Sequence, residues 1–140
     1  MLELEGILKQ LKERGYRATK ARKALLDIFA ESRAPLSASD IMARLKQKKI
    51  PADKTTVYRE TEFLRSQKII QPVQFSDRKK RYEPAAGGHH HHAVCTKCDK
   101  VEDIVIEKDA HALEQGIEKT NDFLVLAHSL EFYGLCAKCR

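Results

Sequence analysis

Two pairs of cysteines carry the clearest chemistry in the chain: Cys95-Thr-Lys-Cys98 and Cys136-Ala-Lys-Cys139, separated by 37 residues. A C-x-x-C spacing lets both thiolates of a pair reach one ion, so two pairs complete a tetrahedral four-sulfur shell around zinc. A closed shell leaves no position for a substrate, and the predicted role is structural. Redox dithiols do not normally come as two matched pairs, which favours metal. Structural zinc of this kind contributes about 10–16 kcal/mol of apparent binding free energy in peptide systems, enough to hold a domain with little core.

The second constellation is the run His89, His90, His91 and His92. Neutral imidazole is available as a ligand near pH 7. In an extended run the pleat sends His89 and His91 to one side and His90 and His92 to the other, so one run feeds two sites. His111 and His128 are the only other histidines, and Glu83, Glu102 and Asp103 are carboxylates close enough in sequence to contribute. Mixed imidazole and carboxylate shells suit divalent first-row metals without selecting one of them. The chain has no Ser/His/Asp order, phosphate loop or zinc-hydrolase motif, so neither an enzyme nor a small-molecule substrate is expected.

The third signal is charge. Residues 1–84 hold 20 Lys/Arg against 11 Asp/Glu, a net of +9, whereas residues 85–140 hold 6 against 9, a net of −3. A basic half beside an acidic half predicts that the first binds a polyanion. A helix beginning near Lys54 offers Thr55, Thr56, Tyr58 and Arg59, groups of the kind that reach phosphates and base edges. Arg17, Lys20 and Arg22 in a preceding loop, and Arg78, Lys79, Lys80 and Arg81 in a later turn, are expected to flank it as backbone or minor-groove contacts.

The elements that must position these groups follow from periodicity and caps. Leu4, Ile7, Leu8 and Leu11 mark a first helix ended by Gly15, and Thr19 caps a second with Ala24, Leu25, Ile28 and Phe29 on one face. Ser37 with Asp40 resembles a capping box opening a third, with Ile41, Met42 and Leu45 inward. Asp53 caps the fourth, expected to be buried through Val57, Phe63 and Leu64 or their neighbours. Two extended pieces, IIQPVQF and RYE, enclose the polar turn SDRKK. Helices followed by a basic hairpin are the order of a winged helix-turn-helix. Pro84, Gly87 and Gly88 mark a linker. Beyond it, HHHHAVC and VEDIVI read as strands, EKDAHALEQGIEKT as a helix, and FLVLAHSLEFYG as a long strand with Leu124, Leu126, His128, Leu130 and Phe132 on one face. The predicted class is α+β: a winged-helix DNA-binding domain over 1–84, then a small α/β metal-binding dimerisation domain over 85–140. So small a sheet is marginal alone, and a second copy of the chain is its expected partner. No apolar run is long enough to span a bilayer, and acidic residues interrupt the opening MLELEGILKQ, so a cytoplasmic protein with no membrane partner is expected.

GYRATKAR, PLSASDI, TTVYRETEFL, RYEP, HHHHAVCTKCDKVEDI and HSLEFYGLCAKC resemble, in order, the landmarks of the ferric uptake regulator superfamily, from about Gly15 to Cys139. The resemblance implies a dimeric repressor that binds a double-stranded DNA operator when loaded with a divalent metal, Fe2+, Zn2+ or Mn2+, and that controls metal-uptake or metal-homeostasis genes. It also implies structural zinc at Cys95, Cys98, Cys136 and Cys139. By position it implies a regulatory site at Glu83, His90, His92 and Asp103, and a dimerisation-domain site at His89, His91, His111 and His128, with Glu107 competing with His111. DNA contacts fall on Arg17, Lys54, Thr55, Thr56, Tyr58 and Arg59. Iron and peroxide sensors of the family commonly place a histidine ligand where this chain has Pro35, so another residue completes the site, the site suits another metal, or the site is weakened. A peroxide-sensing member is the alternative within the family, although such sensors favour aspartate where Glu83 stands. The alternative outside it is a metal-independent winged-helix binder with structural zinc.

Overall fold

The computed structural model describes residues 3–86, 90–106 and 110–140, and falls into two units, Met1–Gly88 and His89–Arg140. Local chemistry sets the helices of the first. α1 (Leu4–Glu13) ends where Gly15 takes a φ of 88° and the Tyr16 N–H reaches back to the Leu11 carbonyl at 2.9 Å. That is a left-handed C-terminal cap, the conformation glycine adopts without a Cβ penalty. α2 (Lys20–Glu31) starts where the Thr19 side chain accepts the Arg22 N–H. α3 (Ala38–Gln47) opens on a full capping box between Ser37 and Asp40, and α4 (Lys54–Ser66) on the Asp53 side chain, which accepts the Thr56 N–H at 2.7 Å. These side chains satisfy donors that a helix start otherwise leaves unpaired.

Leu25, Leu26, Ile28 and Phe29 of α2, Ile41 and Leu45 of α3, and Val57 and Leu64 of α4 form one buried cluster with Leu36 and Ile70. Phe63, expected inside, is only half-buried; Glu60 and Thr61 take the inward positions beside Val57 and Leu64. A three-stranded antiparallel sheet flanks the helices in the order β1 (Leu36–Ser37), β3 (Lys80–Pro84), β2 (Ile70–Gln74). Helices with this hairpin make the winged helix. β1 was not read from the sequence; two residues are too few for a periodic signal.

The second unit has the order β5 (Val101–Ile104), β4 (His91–Cys95), β6 (Glu131–Gly134), with β5 antiparallel and β6 parallel to β4, and α5 (Ala110–Asn121) between β5 and β6. The long strand expected over FLVLAHSLEFYG is corrected: only Glu131–Gly134 is strand. Its in-chain partner β4 has five residues and pairs with four of β6, so the residues before Glu131 find no ladder among the described residues. No described helix is long and apolar enough to cross a membrane.

Candidate metal centres and nucleic-acid surface

The parallel β4–β6 register places Cys95 opposite Gly134. Thr96 fastens it, donating its N–H (2.8 Å) and its hydroxyl (3.2 Å) to the Gly134 carbonyl. Each C-x-x-C then turns on itself: the Asp99 N–H bonds the Cys95 carbonyl at 2.9 Å, and the Cys139 N–H bonds the Cys136 carbonyl at 2.9 Å. The four Sγ atoms lie within 4.8 Å of one another, and Cys98 Sγ is 3.8 Å from Cys136 Sγ. A tetrahedral shell with Zn–S of about 2.3 Å has sulfur–sulfur edges of about 3.8 Å, so the four sulfurs are spaced for one such ion. The Cys136 N–H, ahead of that of Cys98, stabilises the Cys95 thiolate and lowers its pKa to about 6, while the hydrogen bond with Cys136 pushes Cys139 up to about 12. One thiolate thus stands ready near neutral pH, and an arriving cation must displace protons from others.

The histidine run is divided by the pleat of β4. His92 sits opposite Asp103 of β5, its Nε2 3.4 Å from the carboxylate, and the His90 and His92 rings are 4.8 Å apart. The ligand atoms of His90, His92 and Asp103 lie within 4.8 Å of one another, an imidazole–imidazole–carboxylate set. Glu83, in the other unit, is buried on β3, where its carboxylate accepts from Gln71 Nε2 at 3.1 Å. Pro35 offers no ligand atom in its side chain.

His91 turns instead toward His128, their rings 5.8 Å apart. Here the structure supplies a residue that sequence reasoning missed. Glu114 lies 2.6 Å from His128 Nδ1 and 3.6 Å from His111 Nδ1, and the His128 hydrogen bond holds its carboxyl below the usual carboxylate range. An ionised carboxylate only accepts, so His128 Nδ1 donates to it, and Nε2 is the ring atom left to face a metal. His111 and Glu114 stand three apart on α5, the spacing of same-face helix neighbours, and that was the available signal. His89 and Glu107, and the linker glycines Gly87 and Gly88, lie outside the described residues.

On α4 the inward positions Val57, Glu60, Thr61 and Leu64 leave Lys54, Thr55, Tyr58 and Arg59 exposed on the other side, with Thr56 between. The Lys54 ammonium lies 5.8 Å from the centre of the Tyr58 ring. Arg17 is exposed. Two flanking arginines read as DNA contacts are corrected. Arg22 is turned inward onto Glu60, and Arg81 is buried in a two-point pair with Asp77 at 3.1 and 2.7 Å. In the wing, Arg78, Lys79 and Lys80 remain exposed.

The sequence model of the ferric uptake regulator family matches residues 13–133. The ferric uptake regulation protein of Bacillus subtilis is 33% identical over 97% of this chain and 93% of its own length. The peroxide operon regulator of the same organism is 31% identical over 98% of this chain and 93% of its own. Among solved structures, the Helicobacter pylori ferric uptake regulator Fur, described as having three functional metal binding sites, superposes with a TM-score of 0.80 at 25% identity, covering 99% of this chain and 94% of that one.

Proposed function

The chain belongs to the ferric uptake regulator family, and from that premise we propose how its residues make it a metal-responsive, DNA-binding repressor of metal-homeostasis genes. Cys95, Cys98, Cys136 and Cys139 hold structural zinc, whose chemistry is cross-linking alone. The second unit makes a homodimer. Its exposed apolar residues, among them Phe123, Leu124 and Leu126, support this, because a monomer seldom leaves so many in one small region. The regulatory ion, Fe2+, Zn2+ or Mn2+, is held by His90, His92 and Asp103 with Glu83 from the winged unit. Joining the units in this way favours one spacing of the two winged domains. His91, His111 and His128, with His89, form a further site, in which Glu114 orients His128. α4 enters the major groove with Lys54, Thr55, Thr56, Tyr58 and Arg59, and Arg17 contacts the neighbouring backbone or minor groove. The protein works in the cytoplasm, where the duplex and the metal pool are.

The observation that carries the reading is the convergence of His90, His92 and Asp103. A metal there acts only through its different affinity for the two arrangements of the protein. The test uses a duplex selected from a random library by the metal-loaded chain, followed by anisotropy with and without Fe(II), Zn(II) or Mn(II). One of these ions should tighten binding about 5–150-fold, and His92→Ala should abolish that response while retaining the metal-free affinity. Equal affinity with and without every metal rejects the switch.

A further inference from the structure

Glu60 occupies an inward position of α4, 7% exposed, where periodicity calls for an apolar side chain. An unpaired carboxylate there would be strongly unfavourable. It is fully engaged. Arg22 of α2 donates to it from Nε at 2.9 Å and from Nη2 at 3.2 Å, and the two side chains are 12% and 9% exposed. The same guanidinium lies 3.7 Å from the centre of the Phe63 ring, also on α4. Its remaining arm, Nη1, donates to the backbone carbonyl of Arg17 at 2.7 Å, and the Arg22 N–H is bound by Thr19 Oγ1 at 3.2 Å. One side chain therefore grips the helix that carries Tyr58 and Arg59 and, through a main-chain atom, the loop that carries Arg17.

A buried ion pair is weak grounds for stability, since well-packed apolar replacements are often neutral or stabilising. What the pair supplies is geometry: three directed hydrogen bonds from a planar fork leave little freedom between the loop and α4. Building on the DNA-binding surface proposed above, we infer that Arg22 and Glu60 are positioning residues that set the distance between Arg17 and the base-reading end of α4, and thereby operator selectivity. Neither touches DNA.

The test uses the full chain, metal-loaded, with the selected duplex and a scrambled duplex of the same composition. The double variant Arg22→Met/Glu60→Leu keeps the volume apolar, and its melting temperature should be unchanged or raised. Its ratio of selected to scrambled affinity should fall at least about fivefold, the scale of one lost base-pair contact. Its slope of log affinity against log salt should match wild type, because no phosphate contact is removed. Amide exchange measured without DNA should speed up over residues 15–19. Wild-type selectivity in the double variant overturns the inference, and so does a shallower salt slope, which makes Arg22 a phosphate ligand. Unchanged exchange in the loop overturns it as well. Should wild type itself not distinguish the duplexes, the DNA-binding reading fails, while the exchange result still decides whether the clamp exists.

Discussion

The two units of this chain solve the same problem with different materials. In the first, Leu25, Leu26, Ile28, Phe29, Ile41, Leu45, Val57 and Leu64 are all essentially inaccessible to solvent, so apolar burial within the unit is its main support. In the second, the buried apolar side chains among the described residues are Val94, Cys95, Val101 and Ala110, and one of these is a thiol of the sulfur cluster. Leu113, Leu124 and Leu126 meanwhile stand 69%, 74% and 88% exposed. The winged unit carries its stability internally. On the function proposed above, the second unit borrows it from an ion and from a second copy, which suits a part that must respond to metal.

The largest effect that tests this contrast is removal of the zinc. Cys98→Ser, or a chelator in excess, should withdraw about 10–16 kcal/mol of apparent binding free energy from the second unit. Amide exchange should then show residues 90–140 opened and residues 20–70 still protected. Equal loss in both units would dissolve the contrast.

Next in size is a pair of truncations. Phe29→Ala, in a site 1% exposed, should cost about 3–5 kcal/mol of stability in denaturant titration, as cavity formation does. Leu126→Ala should leave unfolding of the monomer unchanged and instead raise the concentration at which sedimentation shows dimer. If Leu126→Ala destabilises the monomer as Phe29→Ala does, the segment packs within its own chain.

The smallest expected effect sharpens the description of the wing. Asp77 is held below its ordinary pKa of 3.8, first by the Arg81 hydrogen bonds. A depressed carboxyl stabilises the fold fully above the unfolded-state value, and the contribution is lost as pH falls through the folded-state value. The difference in melting temperature between wild type and Asp77→Asn should therefore be constant from neutral pH down to about 5 and shrink below 4. A difference that persists in acid would mean the lock is not ionic.

Much of this was legible beforehand where the physics is local. Thr19, Ser37 with Asp40, and Asp53 mark helix starts because a cap involves a side chain and a backbone N–H within a few residues. The C-x-x-C pairs declare a metal because the spacing alone sets their reach. The alternation over FLVLAHSLEFYG was visible too, but a strand exists only where a neighbour completes its ladder, and the chain offers β6 just four paired positions.

The sequence by itself determined which residue types could offer metal ligands, which half is basic and where α2, α3 and α4 begin, since these depend on residue type and short separations. Only the tertiary structure decided that Arg22 serves Glu60, that Glu114 reaches His128, and that Glu60 lies inside. Which opposite charges meet depends on how distant elements pack, and no periodicity along the chain encodes that distance.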